Sequence, residues 1–482
     1  MFLESIKKYG INSPPSDTVA KKISGGVPIL PSIFRPFVEK SPISVMSRGV
    51  IERILNPEQL DKWFDSTAQS QYTKDLLFST LFDIMSQVVF GSYRSVHAAY
   101  QASKEDISVS IVSVYNKLNG IEPETSAQLV RYAADQTKPI IKELCGKVVG
   151  PLPGKQIKLI DGNCIESTQH RIEELRSNAA GPLPGKSLVV YDPMLGMPID
   201  VFPCEDGHAQ ERSLLKTVSR TIEANDVWVA DRNFCTVDFT VNIVSEGGYF
   251  AIRQHKKYPS KIIGKEKYIG KTKTGKVYEQ AILVRDSHGR EHYFRQIRVA
   301  LKKETRDGDS ELFVISNLSK GTADAREIAQ LYQSRWTIET AFLHLSEHLN
   351  SEINTLGYPR AALFGFCIAL VAYIIMNVIK ASLAAVHGAD IIKEQVSGYY
   401  IADEISATYR GMMIAIEPQQ WIVFQQISTS NLLKVLKELA SNVKLSKYQK
   451  HPRGPKKPQP KRKSDKNTPH VSTAKILAKR KK

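Results

Sequence analysis

Cysteine is scarce and shows no pairing pattern: Cys145, Cys164, Cys204, Cys235 and Cys367 are odd in number, widely spaced and without a Cys-x2-Cys pair. This excludes a disulfide framework and a thiolate zinc module, and it fits a reducing cytoplasm. Long hydrophobic runs are also missing, with one exception. From Ala361 to Met376 every residue is apolar, Gly or Tyr, before Asn377 and Lys380 interrupt. That falls short of the ~20 residues of a spanning helix, so a buried core helix and no membrane association are expected. At the N-terminus, Met1-Phe2-Leu3-Glu4-Ser5-Ile6-Lys7-Lys8 is followed by no long apolar stretch, so no signal peptide is expected. Acids, finally, are nearly absent from the C-terminal end. Between Lys444 and Lys482 there are 15 Lys or Arg against the single Asp465, a net +14 out of +17, which leaves only +3 for everything before it.

What is present is ordinary for a core-forming chain. The 482 residues are 42% hydrophobic and 24% charged, enough for two or three cooperating domains and too apolar for a disordered protein. The basic tail binds phosphate backbones in a salt-sensitive, sequence-independent way if it binds anything, since each neutralised phosphate releases counterions. Its prolines, Pro452, Pro455, Pro458, Pro460 and Pro469, deny it regular structure, so 444–482 reads as a disordered tail.

Along the chain, residues 1–149 read as a helical N-terminal region, with apolar periodicity in Thr73 to Phe90, Ile107 to Leu118 and Ser126 to Leu144. The Pro/Gly run Gly150-Pro151-Leu152-Pro153-Gly154 marks a boundary. Strands are predicted at Ile157 to Ile160, ending on Asp161, at Ser187 to Tyr191 and at Ile199 to Phe202, then a helix from His208 to Glu223 and a buried strand Val227 to Ala230, ending on Asp231. That β-β-β-α-β order matches a ribonuclease-H-like α/β sheet, in which the first two acids sit at the ends of adjacent strands. Val237 to Val244 reads as a helix. A mostly β insertion follows at 248–318, with turns at Gly275, His288-Gly289 and Asp307-Gly308. Helical periodicity returns from Asp324 to Leu349. A catalytic domain over 150–380 is thus expected, then a C-terminal helical region over 381–443.

Three acids stand where an ion-binding site would want them. Asp161 and Asp231 follow short apolar strands, at the sheet edge where α/β proteins usually bind ligands. The third is Glu339. Hard divalent ions take oxygen ligands from a few carboxylates, so such a set suits phosphoryl transfer rather than zinc chemistry. On a helix of ~100° per residue, Tyr332, Arg335, Glu339 and Ser346 fall within an arc of roughly 60°. Leu331, Ile338, Phe342, Leu345 and Leu349 form the neighbouring core stripe. Taken singly, each acid also reads as a turn former or a solvated surface residue.

The local motifs resemble a family. Asp161-Gly162-Asn163, the run Thr168-Gln169-His170-Arg171 to Leu175-Arg176, Pro182 to Pro193 and Ala230-Asp231-Arg232-Asn233-Phe234 look like insertion-sequence transposases of the DDE class. Tyr332, Arg335 and Glu339 fit the Tyr-x2-Arg-x3-Glu-x6-Lys signature of the subgroup with a β-strand insertion before the glutamate. The resemblance covers about 150 to 380. It departs in two places: the signature lysine falls at Ser346, and the insertion holds no Trp, since Trp63, Trp228, Trp336 and Trp421 all lie outside it.

The resemblance implies that Asp161, Asp231 and Glu339 are catalytic and hold two Mg²⁺ ions, with Mn²⁺ an accepted substitute, for cleavage at element ends and strand transfer into target DNA. It implies that Arg232, Tyr332 and Arg335 grip DNA phosphates, that the N-terminal region binds DNA ends, and that the C-terminal region serves a homodimer on double-stranded DNA in the bacterial cytoplasm, at the nucleoid. Base stacking, which relatives assign to an insertion tryptophan, would fall to Tyr258, Tyr268 or another aromatic, while Trp336 is expected to pack and Asp192 and Glu347 to be turn or surface acids. Two rivals remain: a ribonuclease-H-like nuclease without strand transfer, and a catalytically inactive DNA-binding descendant.

Overall fold

Two helix-start signals set up the N-terminal region. The Asn56 side chain accepts the Gln59 N–H at 3.0 Å ahead of the Pro57–Thr67 helix, and Pro123 occupies the first turn of Pro123–Cys145, where its missing N–H costs nothing. The computed structural model describes residues 30–71, 75–146, 150–177, 179–305, 308–451 and 470–480. The N-terminal octapeptide, Thr73, Asp307 and the prolines of the tail therefore lie outside the described residues. Among the described residues before 150 stand the helices Pro42–Ile54, Pro57–Thr67, Phe78–Val89, Ile111–Gly120 and Pro123–Cys145.

The strands are β1 Gln156–Cys164, β2 Gly181–Leu183, β3 Lys186–Asp192, β4 Met197–Cys204, β5 Asp226–Ala230, β6 Tyr249–Arg253, β7 Ser260–Lys271, β8 Gly275–Arg285, β9 Glu291–Leu301, β10 Glu311–Ser316 and β11 His470–Ser472. Nine of them form one mixed sheet in the order β4-β3-β1-β5-β6-β10-β9-β8-β7. Strand β3 runs antiparallel to both β4 and β1, β1, β5 and β6 run parallel, and the remaining pairs are antiparallel. Tyr249–Arg253, counted above with the insertion, thus continues the parallel part of the sheet, and the predicted β-rich stretch extends that same sheet by four strands.

Side-chain alternation along β1 puts successive residues on opposite faces of the sheet. Leu159 joins Val189, Val201, Val227, Val229 and Ala251 in a core shared with the N-terminal helices and the Pro359–His387 helix. Ile160 joins Leu188, Val190, Trp228, Ala230, Phe250 and Ile252 in a second core under the Val237–Ser245 helix. Helices therefore cover both faces, as a sheet with parallel central strands requires. The N-terminal helices share the first core rather than packing apart.

The apolar run becomes the Pro359–His387 helix, 29 residues long, extending beyond Met376. By length and composition it is able to cross a membrane, but its apolar window is 100% buried by surrounding protein, as expected of a core helix. Near its end the half-buried Lys380 lies 5.5 Å from the Tyr373 ring, and burial, with Lys450 nearby, pushes its ammonium down to about 8. A base whose folded pKa is depressed destabilises the fold below that value, and the penalty fades as pH rises through the unfolded pKa. Lys380→Met is therefore expected to raise the melting temperature at pH 7, with the gain shrinking between pH 8 and 10.5, measurable by thermal denaturation across that range.

Three expectations need correction. The stretch His208 to Glu223 is not one helix but the short turns Glu211–Leu214, Leu215–Val218 and Ser219–Thr221. Ser213 and Thr221 hydroxyls donate to the carbonyls of Gln210 and Val218, so local side-chain bonds compete with helix propagation. The helix from Asp324 divides into Ala325–Gln333, which opens with an Asp324/Glu327 capping box, and Trp336–His348. The tail, read as disordered, forms a 3-10 turn at Leu445–Tyr448 and, at its end, β11 and the helix Thr473–Arg480, because β11 finds a strand partner in β2.

Candidate active site

The parity of β1 decides which way its acid points. Asp161 lies inside the strand, not after it, and shares the face of Ile157 and Leu159. On that side packs the Trp336–His348 helix, held by Ile338, Ala341 and Leu345 in the first core. Its first turn carries Glu339. Asp231 follows β5 directly, as predicted, and caps the Arg232–Phe234 turn by accepting the Asn233 N–H at 2.7 Å.

Arg335 joins the strand acid to the helix acid. Its Nη1 donates to Asp161 Oδ2 at 2.9 Å and its Nη2 meets Glu339 Oε1 at 2.6 Å, across 174 residues of sequence between Arg335 and Asp161. The guanidinium lies 5.9 Å from the Tyr332 ring and 5.5 Å from that of Trp336. Burial works against its charge, but Tyr332, Asp161 and Glu339 carry its pKa well above the ordinary value. The Asp161 carboxyl is pushed up to about 7: burial dominates, Arg335 opposes it, and the charges of Asp231 and Glu339 add to it. Asp231 and Glu339 are therefore each within electrostatic range of Asp161. Among the described residues no three acid, His or Cys side chains stand close enough together to hold a metal ion, and the Arg335 guanidinium lies between Asp161 and Glu339.

The other predicted residues are distributed as follows. Tyr332 is buried at 4% exposure and feels the charges of Arg335, Arg253 and Asp231; Arg232 is half-buried beside Asp231. Ser346 is exposed, with its hydroxyl donating to the Leu343 carbonyl. Leu331, Ile338, Leu345 and Leu349 are buried and Phe342 partly so, as the stripe predicted. Trp336 is not a packing residue: it is the first residue of its helix, 60% exposed beside Arg335. Tyr258 is buried with its hydroxyl 2.8 Å from that of Thr240, which removes it as a stacking platform; Tyr268 is 54% exposed on β7. Asp192 is a turn acid, accepting the N–H groups of Met194 and Leu195, but a buried one.

Glu211 was invisible in the sequence. Gly162, the next residue of β1, faces the opposite side from Asp161, and a Cβ there would lie 2.2 Å from Glu211 Oε1. The other Glu211 oxygen accepts from Asn233 Nδ2 at 3.4 Å, while Arg212 Nε donates to the Asn233 carbonyl at 2.7 Å. Glu211 and Arg212 thus link the strand that carries Asp161 to the turn that follows Asp231. No apolar period or turn motif marks such a pair, which only the docking of the Glu211–Leu214 turn brings there. Gly162→Ala is expected to keep the fold, since only the end of a flexible side chain must move, yet to lower activity by displacing Glu211; circular dichroism and a cleavage assay read the two effects.

Comparison with known proteins bears on this arrangement. A solved structure described as a piggyBac transposase synaptic complex with hairpin DNA is 10% identical, covers 78% of this chain and 82% of that chain, and superposes with a TM-score of 0.36, a likeness on which nothing below rests. No curated protein sequence matches the chain. Residues 153–375, however, match the family model described as the transposase DDE domain, a stretch that contains Asp161, Asp231, Arg335 and Glu339, and this match supports a DDE transposase.

Proposed function

We propose that the protein is a DNA transposase whose catalytic core is ribonuclease-H-like, with Asp161, Asp231 and Glu339 as its catalytic acids. The single observation that carries this reading is the Asp161–Arg335–Glu339 bridge, with Asp231 close enough to raise the Asp161 pKa. The strand order β4-β3-β1-β5-β6, antiparallel on one side of β1 and parallel on the other, supports the ribonuclease-H-like assignment.

The donor set fits hard divalent cations. Carboxylate oxygens are the donors such ions take; Arg335 already balances Asp161 and Glu339 as a cation, and Asp231 acts on Asp161 through its charge. Asp161, Asp231 and Glu339 would hold Mg²⁺, or Mn²⁺ in its place; two such ions supply Lewis-acid activation of the attacking and leaving oxygens of a phosphodiester. The chain's own residues have separate tasks. Arg335, buried and held between the acids, is positioned to bind a phosphate oxygen at the reacting centre by charge-assisted hydrogen bonds. Tyr332 packs under its guanidinium and fixes its direction. Arg232, next to Asp231, offers a second cation to the DNA backbone. The exposed Trp336 presents an aromatic face to the substrate at the border of the same centre. Trp336→Ala is expected to leave the melting temperature within about 1 °C, as for other exposed side chains, and to weaken duplex binding, measured by fluorescence anisotropy; an unchanged affinity would remove it from the interface.

The basic C-terminal end adds a sequence-independent attraction for DNA. Synapsis of two DNA ends calls for a homodimer on DNA. The reading is tested by incubating the full chain with a plasmid carrying the element ends and Mg²⁺. Strand nicking followed by joining to target DNA is expected. Nicking without joining would favour a plain nuclease, and neither would favour an inactive descendant.

A further inference from the structure

Among the described residues strand β2 has one strand partner, β11 from the C-terminal end of the chain, and the two form a separate parallel pair: His470 opposite Gly181, Val471 opposite Pro182, Ser472 opposite Leu183. Around the pair, Ser167 Oγ lies 3.2 Å from His470 Nδ1, Lys475 Nζ lies 3.0 Å from Asp206 Oδ2 and Arg480 Nε lies 3.1 Å from Glu174 Oε1. The C-terminal segment thus straps the loop that joins β1, which bears Asp161, to β3. It also anchors at Asp206, five residues before Glu211.

Ser472 and Thr473 are buried, but the attachment is short and its charged contacts are weak. The pair spans only three residues. Both ion pairs are open to solvent, with the cations 62% and 57% exposed, so salt screens them. Thr473 is fully buried, yet its hydroxyl has no hydrogen-bond partner among the described residues, a cost of the docked state. Meanwhile residues 470–482 carry five Lys or Arg and no acid, a composition that polyanions attract by counterion release.

We propose that residues 470–480 are a releasable latch: a basic peptide of this chain docked in a groove formed by the β2 edge, Asp206 and Glu174, and drawn off it by polyanions. That DNA is its natural competitor rests on the function proposed above. In the closed state the latch orders the β1–β3 loop and covers two carboxylates. In the open state Lys475, Lys479 and Arg480 move to phosphate groups, and the β2 edge is exposed.

Hydrogen–deuterium exchange of the full chain tests this at the peptide spanning Gly181–Leu183, at low salt, at high salt, with heparin and with duplex DNA, while anisotropy records DNA binding in the same buffer. Protection at low salt is expected, falling at least tenfold with heparin or high salt. Asp206→Lys should show that loss already at low salt, and the charge swap Asp206→Lys with Lys475→Asp should restore protection, which separates latch opening from misfolding. Protection that survives both heparin and Asp206→Lys overturns the proposal. So does duplex DNA that binds without releasing the peptide. Release by heparin with no duplex binding upholds the latch and counts instead against the DNA reading.

Discussion

Asp161→Asn is expected to abolish DNA cleavage, by about three orders of magnitude or more, while leaving the melting temperature at pH 7 unchanged or higher. On the proposed function, the loss follows from removing a carboxylate that acts on the reacting centre rather than in packing. The stability effect follows from the unfavourable charge on Asp161, whose pKa is pushed up to about 7 by burial, against Arg335, and by Asp231 and Glu339. An acid whose folded pKa is raised gives the unfolded state the easier ionisation. Stability therefore declines as pH rises from the ordinary value of 3.8 and levels off above about 7. Asn carries no charge and escapes this decline. The stability difference between Asp161→Asn and the parent should accordingly widen from pH 4 to pH 7, as followed by thermal denaturation. A purely structural acid would behave in the opposite way, losing stability when neutralised.

Arg335→Ala should damage both stability and activity. It leaves Asp161, with a side chain only 17% exposed, facing Glu339 without the cation that now separates them. Removing one partner of a buried pair costs about 3–5 kcal/mol; the Glu339 half, at 39% exposure, is screened and adds little. The cost depends on the charge left behind. Placed on top of Asp161→Asn, Arg335→Ala should therefore cost much less, with a coupling of at least about 1 kcal/mol in a double-mutant cycle of urea unfolding. Additive effects would show that Arg335 does not act through Asp161. Arg335→Lys should keep part of the stability but lose activity, since an ammonium does not span two carboxylates as a guanidinium does.

Much of this architecture was legible in local pattern. The apolar runs before Asp161 and Asp231 made both strands readable, and the helical period placed Arg335 and Glu339 on one face. What the sequence concealed were features that depend on tertiary placement. Asp161 lies within β1 because β3 pairs with the strand as far as Cys164, and no property of Asp161-Gly162-Asn163 reveals where that pairing ends. Trp336 was expected to pack, yet the helical period itself sets it roughly 140° from the centre of the core stripe, and it is 60% exposed. Glu211 and Arg212 reach the strand and the turn that carry Asp161 and Asp231 through a chain of short turns, which no local pattern reveals. The order at the C-terminus was missed for a related reason: composition reports how a segment behaves alone, whereas β11 owes its structure to β2.

The central claim is that Asp161, Asp231 and Glu339 act as one ion-binding centre, and iron-directed cleavage of the polypeptide tests it most directly. With Fe²⁺ in place of Mg²⁺, ascorbate and peroxide generate hydroxyl radicals at the bound ion, and the backbone is cut where it lies nearest. The account predicts three groups of cuts, around residues 161, 231 and 339, all suppressed together by excess Mg²⁺ and all lost in Asp231→Ala. Cuts near one or two of these positions alone, or a pattern that persists in Asp231→Ala, would contradict it.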